Sequence, residues 1–375
     1  MKMLLVISEA PPVKSGVARV AEKLSLGLTT RGYQVDTLSL HDAPRLELGE
    51  VRLSSMPLRL HHLRQRFQEY DLIHLHGPVP TFSDVVLLAE LRDLRASRPA
   101  LIYTHHAPIE IKCIPLLPFT WIYNLAVEKL AHLADHVVVT TPSYGQRLRH
   151  SVPAGKLSVI PWGVDYDRFH APLSKPGQFT VVYLGQIRPY KGLPVLLKAA
   201  SGLSGIRLWV IGDGHYSAKS KALAERLDLP DLTFWGALPD DEMVNLLKCA
   251  HVIVLPSVTR SEAFGIALLE GMAAGLVPVA SYLPGVADVV GNEGITFPPG
   301  DHLALRAALT RLRDDRALCH HLASLAQAKA RLYPWERVVF GYERIFNRYL
   351  ASPVSERVLS STDIPTQPIL QGYSD

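Results

Sequence analysis

The chain has 375 residues, 48% hydrophobic and 20% charged, with a formal net charge of +4. That length suits two domains and that balance a globular protein with sizeable cores. The small net charge excludes a broad nucleic-acid footprint, and three scattered cysteines (Cys113, Cys249, Cys319) without a CxxC pair exclude a disulfide framework and a cysteine zinc site and fit a reducing cytoplasm.

In chain order, MLLVIS (3–8) is expected as a first strand, because Glu9 ends its apolar run too early for a signal peptide. VARVAEKLSLGLTTRG (17–32) repeats apolar residues at helical spacing, and strands follow at 33–40, 72–76, 101–106 and 136–141 with helical stretches between most of them. The basic PLRLHHLRQRF (57–67) is expected as a solvated helix face. The stretch CIPLLPFTWIYNLAV (113–127) holds two prolines and is shorter than the ~20 residues of a membrane span. It is expected as a loop and a core helix, with an apolar acceptor or membrane contact as the alternative.

A stretch rich in proline, glycine and charge, GVDYDRFHAPLSKPGQ (163–178), serves as the expected linker, after which the alternation restarts. Strands are expected at 179–187, 206–212, 232–236, 251–256 and 277–281, then a long helical run through about 332, an amphipathic helix at 333–350 opened by Pro334, and a poorly ordered tail at 351–375. Strand–helix alternation in both halves predicts two α/β domains with doubly wound parallel sheets.

In such sheets, ligands sit beyond the carboxyl ends of the strands. Gly16 in KSGVARV would let backbone approach an anion at a helix start. Asp36, twenty residues on, opens a dinucleotide reading, but no GxGxxG accompanies it, and GDGHYS (212–217) lacks the third glycine. His74 and His76, and His105 and His106, fall at strand ends without a carboxylate or cysteine at metal spacing. A hydrogen-bonding role is expected for the first pair and substrate contact for His106. GQIRPYKG (185–192) puts Arg188 and Lys191 on a loop after a strand, where two cations suit a diphosphate. RSEAFGIALLEGMAAG starts a helix near Phe264 or Gly265. The free amides of Phe264, Gly265 and Ile266 and the carboxylate of Glu262 then face one space, with Glu270 about one and a half turns in. Cap-like and salt-bridge roles are the alternatives for the two acids. The DYD triplet (165–167) resembles a metal-binding DxD but lies in the linker and is taken as linker charge.

On these residues the chain resembles the retaining glycosyltransferases of family four, over about residues 1–350. The most specific element is the EX7E motif, Glu262 to Glu270. SGVARV…RGYQV, HLHG, THHA, ADHVVVTTPS, PWGVD, GQIRPYKG, VIGDG, FWGALPDDEM, VLPS and AAGLVPVAS support it. The resemblance implies a GT-B fold of two facing Rossmann-like domains: 1–165 on the acceptor side, 166–332 binding the nucleotide sugar, and a helix at 333–350, with Trp335, crossing back to the first. It implies transfer of a hexose from a UDP- or GDP-sugar to a hydroxyl of a sugar, glycolipid or polysaccharide, with an α-linkage. Neither metal nor cofactor is implied, and the setting is cytoplasmic with peripheral contact to the membrane face.

By the same resemblance, Glu270 holds the ribose hydroxyls, and Glu262 with the Phe264, Gly265 and Ile266 amides holds the donor sugar. Lys191 grips the diphosphate with Arg188. Gly185, Gln186 and Gly212 line the donor site, Gly16 faces the phosphates, and His106 contacts the transferred sugar. The leaving phosphate takes the acceptor proton on the same face. Three positions depart from the pattern. Gln186 replaces the usual arginine, and Arg188, two residues on, is expected to supply that charge if both lie on a strand. Trp162 replaces an asparagine, and Asp288 a glutamate. A nucleotide-sugar epimerase, a phosphorylase or a non-enzymatic sugar-binding protein are the competing readings.

Overall fold

The computed structural model describes residues 1–13, 15–40, 45–48, 51–54, 65–91, 98–110, 117–173, 175 and 177–351. The PLRLHHLRQRF stretch up to residue 64 and the tail from 352 lie outside them. The chain divides into two compact units, one of residues 1–162 and 335 onward, the other of 163–334.

The first unit runs β1 (Lys2–Ile7), α1 (Gly16–Thr29), β2 (Gln34–Ser39), β3 (Arg45–Leu48), β4 (Val51–Ser54), β5 (Leu72–Gly77), α2 (Ser83–Leu91), β6 (Ala100–His105), α3 (Leu117–Leu130), β7 (His136–Val139), α4 (Pro142–Leu148) and β8 (Leu157–Val159). Six strands form a parallel sheet in the order β2-β1-β5-β6-β7-β8, and β3 and β4 pair as an antiparallel hairpin. The central strands β5 and β6 are buried along their whole length, as strands covered on both faces are, and they hold His74, His76, Thr104 and His105 buried among their apolar residues.

The second unit runs α5 (Tyr166–Phe169), β9 (Phe179–Leu184), α6 (Leu193–Ala200), β10 (Ile206–Ile211), α7 (Ser217–Arg226), β11 (Leu232–Gly236), α8 (Asp240–Cys249), β12 (Val252–Leu255), α9 (Ile266–Ala273), β13 (Val277–Ser281), α10 (Val286–Val290), β14 (Ile295–Phe297), α11 (His302–Asp314) and α12 (Arg316–Ala330). Its parallel sheet has the order β11-β10-β9-β12-β13-β14, a doubly wound arrangement that reverses direction between β9 and β12. Inside the sheet, Val181, Tyr183, Val210, Val254 and Val279 pack with Leu196, Leu197 and Leu309 of the covering helices.

The last helix, α13 (Trp335–Ala351), belongs to the first unit. Val338, Val339, Tyr342, Phe346 and Tyr349 form its buried stripe at helical spacing. Gly27 of α1 lets it close in, since a Cβ there would lie 2.5 Å from the Val339 side chain. Tyr342 OH shares a 3.0 Å hydrogen bond with Thr104 Oγ1, and Tyr349 OH one of 3.2 Å with His136 Nδ1.

Several local expectations change. β8 and β14, of three residues each, are too short to show a period, and the expected linker carries α5. The single run after residue 302 breaks into two helices at Asp315, whose carboxylate accepts from Leu318 N at 2.9 Å and restarts the helix. Most notably, α3 is not a core helix throughout. Phe119, Trp121, Ile122 and Leu125 are exposed, because its apolar residues run nearly all round and only one face finds a partner. Among the described residues no helix is long and apolar enough to cross a membrane.

Candidate functional site

The reversal in strand order lies between β9 and β12, the place where an open α/β sheet leaves a crevice at its carboxyl edge. The two loops that leave there are Gly185–Lys191 and Pro256–Glu262, and they cross closely. Val258 N donates to Tyr190 O at 2.8 Å, and a Cβ on Gly192 would lie 1.9 Å from Pro256 O. With φ of 69° as well, Gly192 is the only residue type that lets the loops meet and α6 begin there.

That crossing delivers Lys191 to Glu262. Nζ lies 2.5 Å from Oε2, and Ser257 Oγ donates to the same oxygen at 3.0 Å. Glu262 is 7% exposed, so its charge is held inside the unit by an ammonium and a hydroxyl. Burial disfavours the charge on Lys191, but the neighbouring Glu262 carboxylate, with Tyr190 and Tyr183, outweighs it and holds the ammonium above the usual lysine range. Tyr183, whose pKa burial raises, donates from its hydroxyl to Gln186 O at 3.0 Å and fixes the loop from below.

Backbone hydrogen bonds gather the other expected loop residues. Gly185 N donates to Ile211 O and Ile187 N to Asp213 O, each at 3.0 Å, and Gly212 N donates to Gly236 O at 2.7 Å. Gly185, Gln186, Arg188 and Gly212 therefore share one edge of the sheet with Lys191. The alternation argument for Arg188 fails, because β9 ends at Leu184 and neither Gln186 nor Arg188 is on a strand. Arg188 instead has extended backbone before the 3-10 turn Pro189–Lys191.

Glu262 leads into α9, which begins at Ile266, slightly later than expected. Gly265 caps it in the left-handed conformation, φ 81°, and offers no side chain to the first amides. Phe264 anchors the turn at 2% exposure, and Glu270 is buried at 4% in the second turn. The carboxylate of Glu262 goes to Lys191 and Ser257 and does not cap the helix, so the cap-like alternative falls away. The DYD triplet runs into α5 of this unit, whose Arg168 pairs with Asp241 at 2.7 Å.

In the first unit the strand order reverses between β1 and β5. Gly16 is the first residue of α1 and is exposed, while Ser15 Oγ caps that helix by accepting from Ala18 N at 3.1 Å. His106, just past β6, meets His76 at the end of β5, with Nε2 3.2 Å from Nδ1. Trp162 stacks on His76 (6.0 Å between centroids, 9° between planes) and lies 5.4 Å from the His106 ring. Burial pushes His106 down to about 4 and His74 and His105 to about 3, so all three rings are neutral near pH 7. His74 fills the expected hydrogen-bonding role, with Nε2 2.9 Å from Thr104 Oγ1. His106 is therefore suited to neutral hydrogen bonding and not to donating a proton as imidazolium.

His76 also fills its expected hydrogen-bonding role, through His106. Ser257, Tyr183 and Gly192 are not legible as parts of the site. Ser257 and Gly192 stand inside quoted motifs, but only the loop crossing gives them a task. Tyr183 reads as a strand residue, and no periodicity separates it from the core.

Two family models match the chain: glycosyl transferases group 1 over residues 165–329 and glycosyltransferase family 4 over residues 14–168. A D-rhamnosyltransferase (WbpZ) of Pseudomonas aeruginosa is 29% identical over 282 residues, covering 72% of this chain and 71% of that protein. An O-antigen chain mannosyltransferase C of Escherichia coli is 27% identical over 374 residues, covering 91% and 96%. Among solved structures, a sucrose-phosphate synthase from Thermosynechococcus elongatus superposes with a TM-score of 0.77 at 21% identity, covering 93% of this chain and 99% of that one. Anabaena HepE, solved with UDP, gives 0.72 at 17%, covering 93% and 100%.

Proposed function

The chain belongs to the group 1, family-four glycosyltransferases, of GT-B fold, and on that premise we propose that it moves a hexose from a UDP- or GDP-sugar to a hydroxyl of a sugar, glycolipid or polysaccharide acceptor, with retention and an α-linkage. The names of the two sequence relatives favour mannose or its 6-deoxy form as the sugar and a growing surface glycan as the acceptor. The reading places the reaction in the cytoplasm, at the membrane face, and no metal or cofactor enters it.

The observation that carries the proposal is the buried Lys191–Glu262 pair at the strand-order reversal of the second unit. A diphosphate at this edge draws on the remaining N–H donors of Lys191 and on Arg188, with the Gly185, Gln186 and Gly212 backbone around it. As the bond to the anomeric carbon breaks, charge grows on the leaving phosphate, and a preplaced ammonium acts where that charge develops. Glu262, with the amides of Phe264, Gly265 and Ile266, holds the sugar. Its carboxylate also favours positive charge at the anomeric carbon. Glu270 takes the ribose hydroxyls. The leaving phosphate receives the acceptor proton, so no separate acid and base pair is needed. On the first unit, Gly16 and His106 remain proposed contacts for phosphate and transferred sugar through the family resemblance alone.

The test is a panel of UDP-, GDP- and ADP-sugars, scored first by thermal shift and then by nucleoside diphosphate release with and without acceptor, with Glu270→Ala as control. Release that needs acceptor supports transfer. Release or isomerisation without acceptor supports an epimerase, and no shift with any donor, or an unchanged shift in Glu270→Ala, refutes the reading.

A further inference from the structure

In the first unit, packed rings join α13 to the loop after β6. Tyr342 of α13 lies against His74, with 4.6 Å between ring centroids, and His74 lies 4.3 Å from His76. His76 reaches His106 through the 3.2 Å contact of Nδ1 with Nε2. Trp162 lies parallel to His76 and also packs against His106. His74, His76, Trp162 and Tyr342 are all buried. The backbone of His106 is fixed as well, since its N–H donates to Gly77 O at 2.8 Å. Of these rings the proposed chemistry uses His106 alone.

Proton counting decides what His106 offers to a ligand. Burial keeps His76 and His106 neutral near pH 7, so each carries one N–H and one bare nitrogen. One of the two donates across their contact. Were His106 the donor, His76 would hold its proton on Nε2, a buried atom with no partner among the described residues. Trp162 cannot accept it. Its indole has no acceptor atom, and its plane, 9° from the His76 ring, keeps an in-plane N–H from pointing at the indole face. With His76 Nδ1–H as the donor, only a bare nitrogen is left in that place. Orphaned buried N–H groups are rarer in folded proteins than under-satisfied acceptors, which selects this second arrangement. The same count puts the His74 proton on Nε2, facing Thr104 Oγ1, because His74 Nδ1 is also buried without a partner.

We propose that His76 and Trp162 are positioning residues that hold His106 as its Nδ1–H tautomer, so that His106 meets the substrate as a neutral hydrogen-bond donor. His106 Nε2 is taken by His76, and Nδ1 has no hydrogen bond among the described residues, so Nδ1–H is the group left for a ligand. Its complement is an acceptor oxygen, such as a sugar hydroxyl or ether, and not an N–H. Trp162 is one of the positions where this chain departs from the family-four pattern. The asparagine usual there has an amide oxygen able to accept from His76 Nε2–H, which would admit the other tautomer; the indole removes that option. What His106 touches rests on the proposed glycosyl transfer, whereas its tautomer does not.

The experiment reads the tautomer directly, by nitrogen NMR of the full chain carrying ring-labelled histidine at pH 7, with the His106 signals assigned by their loss in His106→Asn. Wild-type His106 should show a protonated Nδ1 and a bare Nε2. His76→Leu should move it towards the Nε2–H form that free neutral imidazoles prefer, and Trp162→Asn should show both forms. A wild-type His106 protonated on Nε2 overturns the proposal, whatever the variants do. An unchanged pattern in His76→Leu overturns it too, and a single form in Trp162→Asn overturns the part given to Trp162. In turnover, His76→Leu should lower kcat/KM by about tenfold, the weight of one neutral hydrogen bond. His76→Asn, whose amide N–H stands near the place of Nδ1–H, should recover most of that loss; equal losses in both would make His76 a packing residue and overturn the proposal. Nucleotide-sugar binding by the same labelled protein separates the two readings: the expected tautomer in a chain that binds no donor counts against the transferase chemistry, and donor binding with Nε2–H on His106 counts against the positioning role.

Discussion

Replacing Lys191 by methionine removes the ammonium from Glu262 and keeps most of the side-chain volume. At 2.5 Å, an effective dielectric of about 20 puts the attraction near 7 kcal/mol, and it offsets several kcal/mol of desolvation for each ion. The net value of the pair is therefore small, but its half-removal is costly. The Glu262 carboxylate stays buried with the Ser257 hydroxyl still donating to it, and about 3–5 kcal/mol of stability should be lost. Adding Glu262→Gln removes the stranded charge and should restore most of the stability, while turnover stays lost. Urea midpoints for wild type, both single variants and the double variant at pH 7 measure this. A Lys191→Met protein as stable as wild type, or a double variant no better than that single one, would refute the reasoning.

Three further outcomes are expected. Arg188→Ala should weaken nucleoside diphosphate binding by tenfold or more, the value of about 1.5–3 kcal/mol for a charged hydrogen bond, and leave nucleoside binding unchanged; calorimetry showing equal diphosphate affinity ends its assignment to the donor. Gly192→Ala places a Cβ against Pro256 O with φ at 69° and should cost about 3 kcal/mol or more, seen as a lowered melting temperature; an unchanged value means the loops do not cross as described. Burial holds His74, His105 and His136 at about 3, below the usual 6.5, so their neutral forms stabilise the fold above pH 6.5 and that contribution is lost as pH falls towards the folded values. From pH 7 to pH 5 each ring should cost about 2 kcal/mol, and a first-unit urea midpoint that does not move over that range counts against neutral burial.

Much of the fold is legible in the residues in order. Unbroken apolar runs such as KMLLVI and VPVAS mark strands buried on both faces, and Val338, Tyr342, Phe346 and Tyr349 mark the stripe of α13, because burial on a regular element leaves a period of its own. Glu262 and Glu270 stand out because carboxylates beside and within an apolar helix demand partners, and Lys191 because it follows a strand end on a glycine-bounded loop with a second cation. The partner itself is not legible. Lys191 and Glu262 are 71 residues apart, and their meeting depends on β9 lying beside β12, on Gly192 allowing the loops to cross, and on Ser257 reaching the same oxygen. The expected Gln186–Arg188 alternation fails for a related reason: where a strand stops is set by its neighbours' hydrogen bonds and not by its own composition. Helix α3 shows the limit most plainly. Its residues determine an apolar helix, but whether Trp121 points into a core or out of the molecule is decided by which faces the surrounding elements cover, and no local pattern records that.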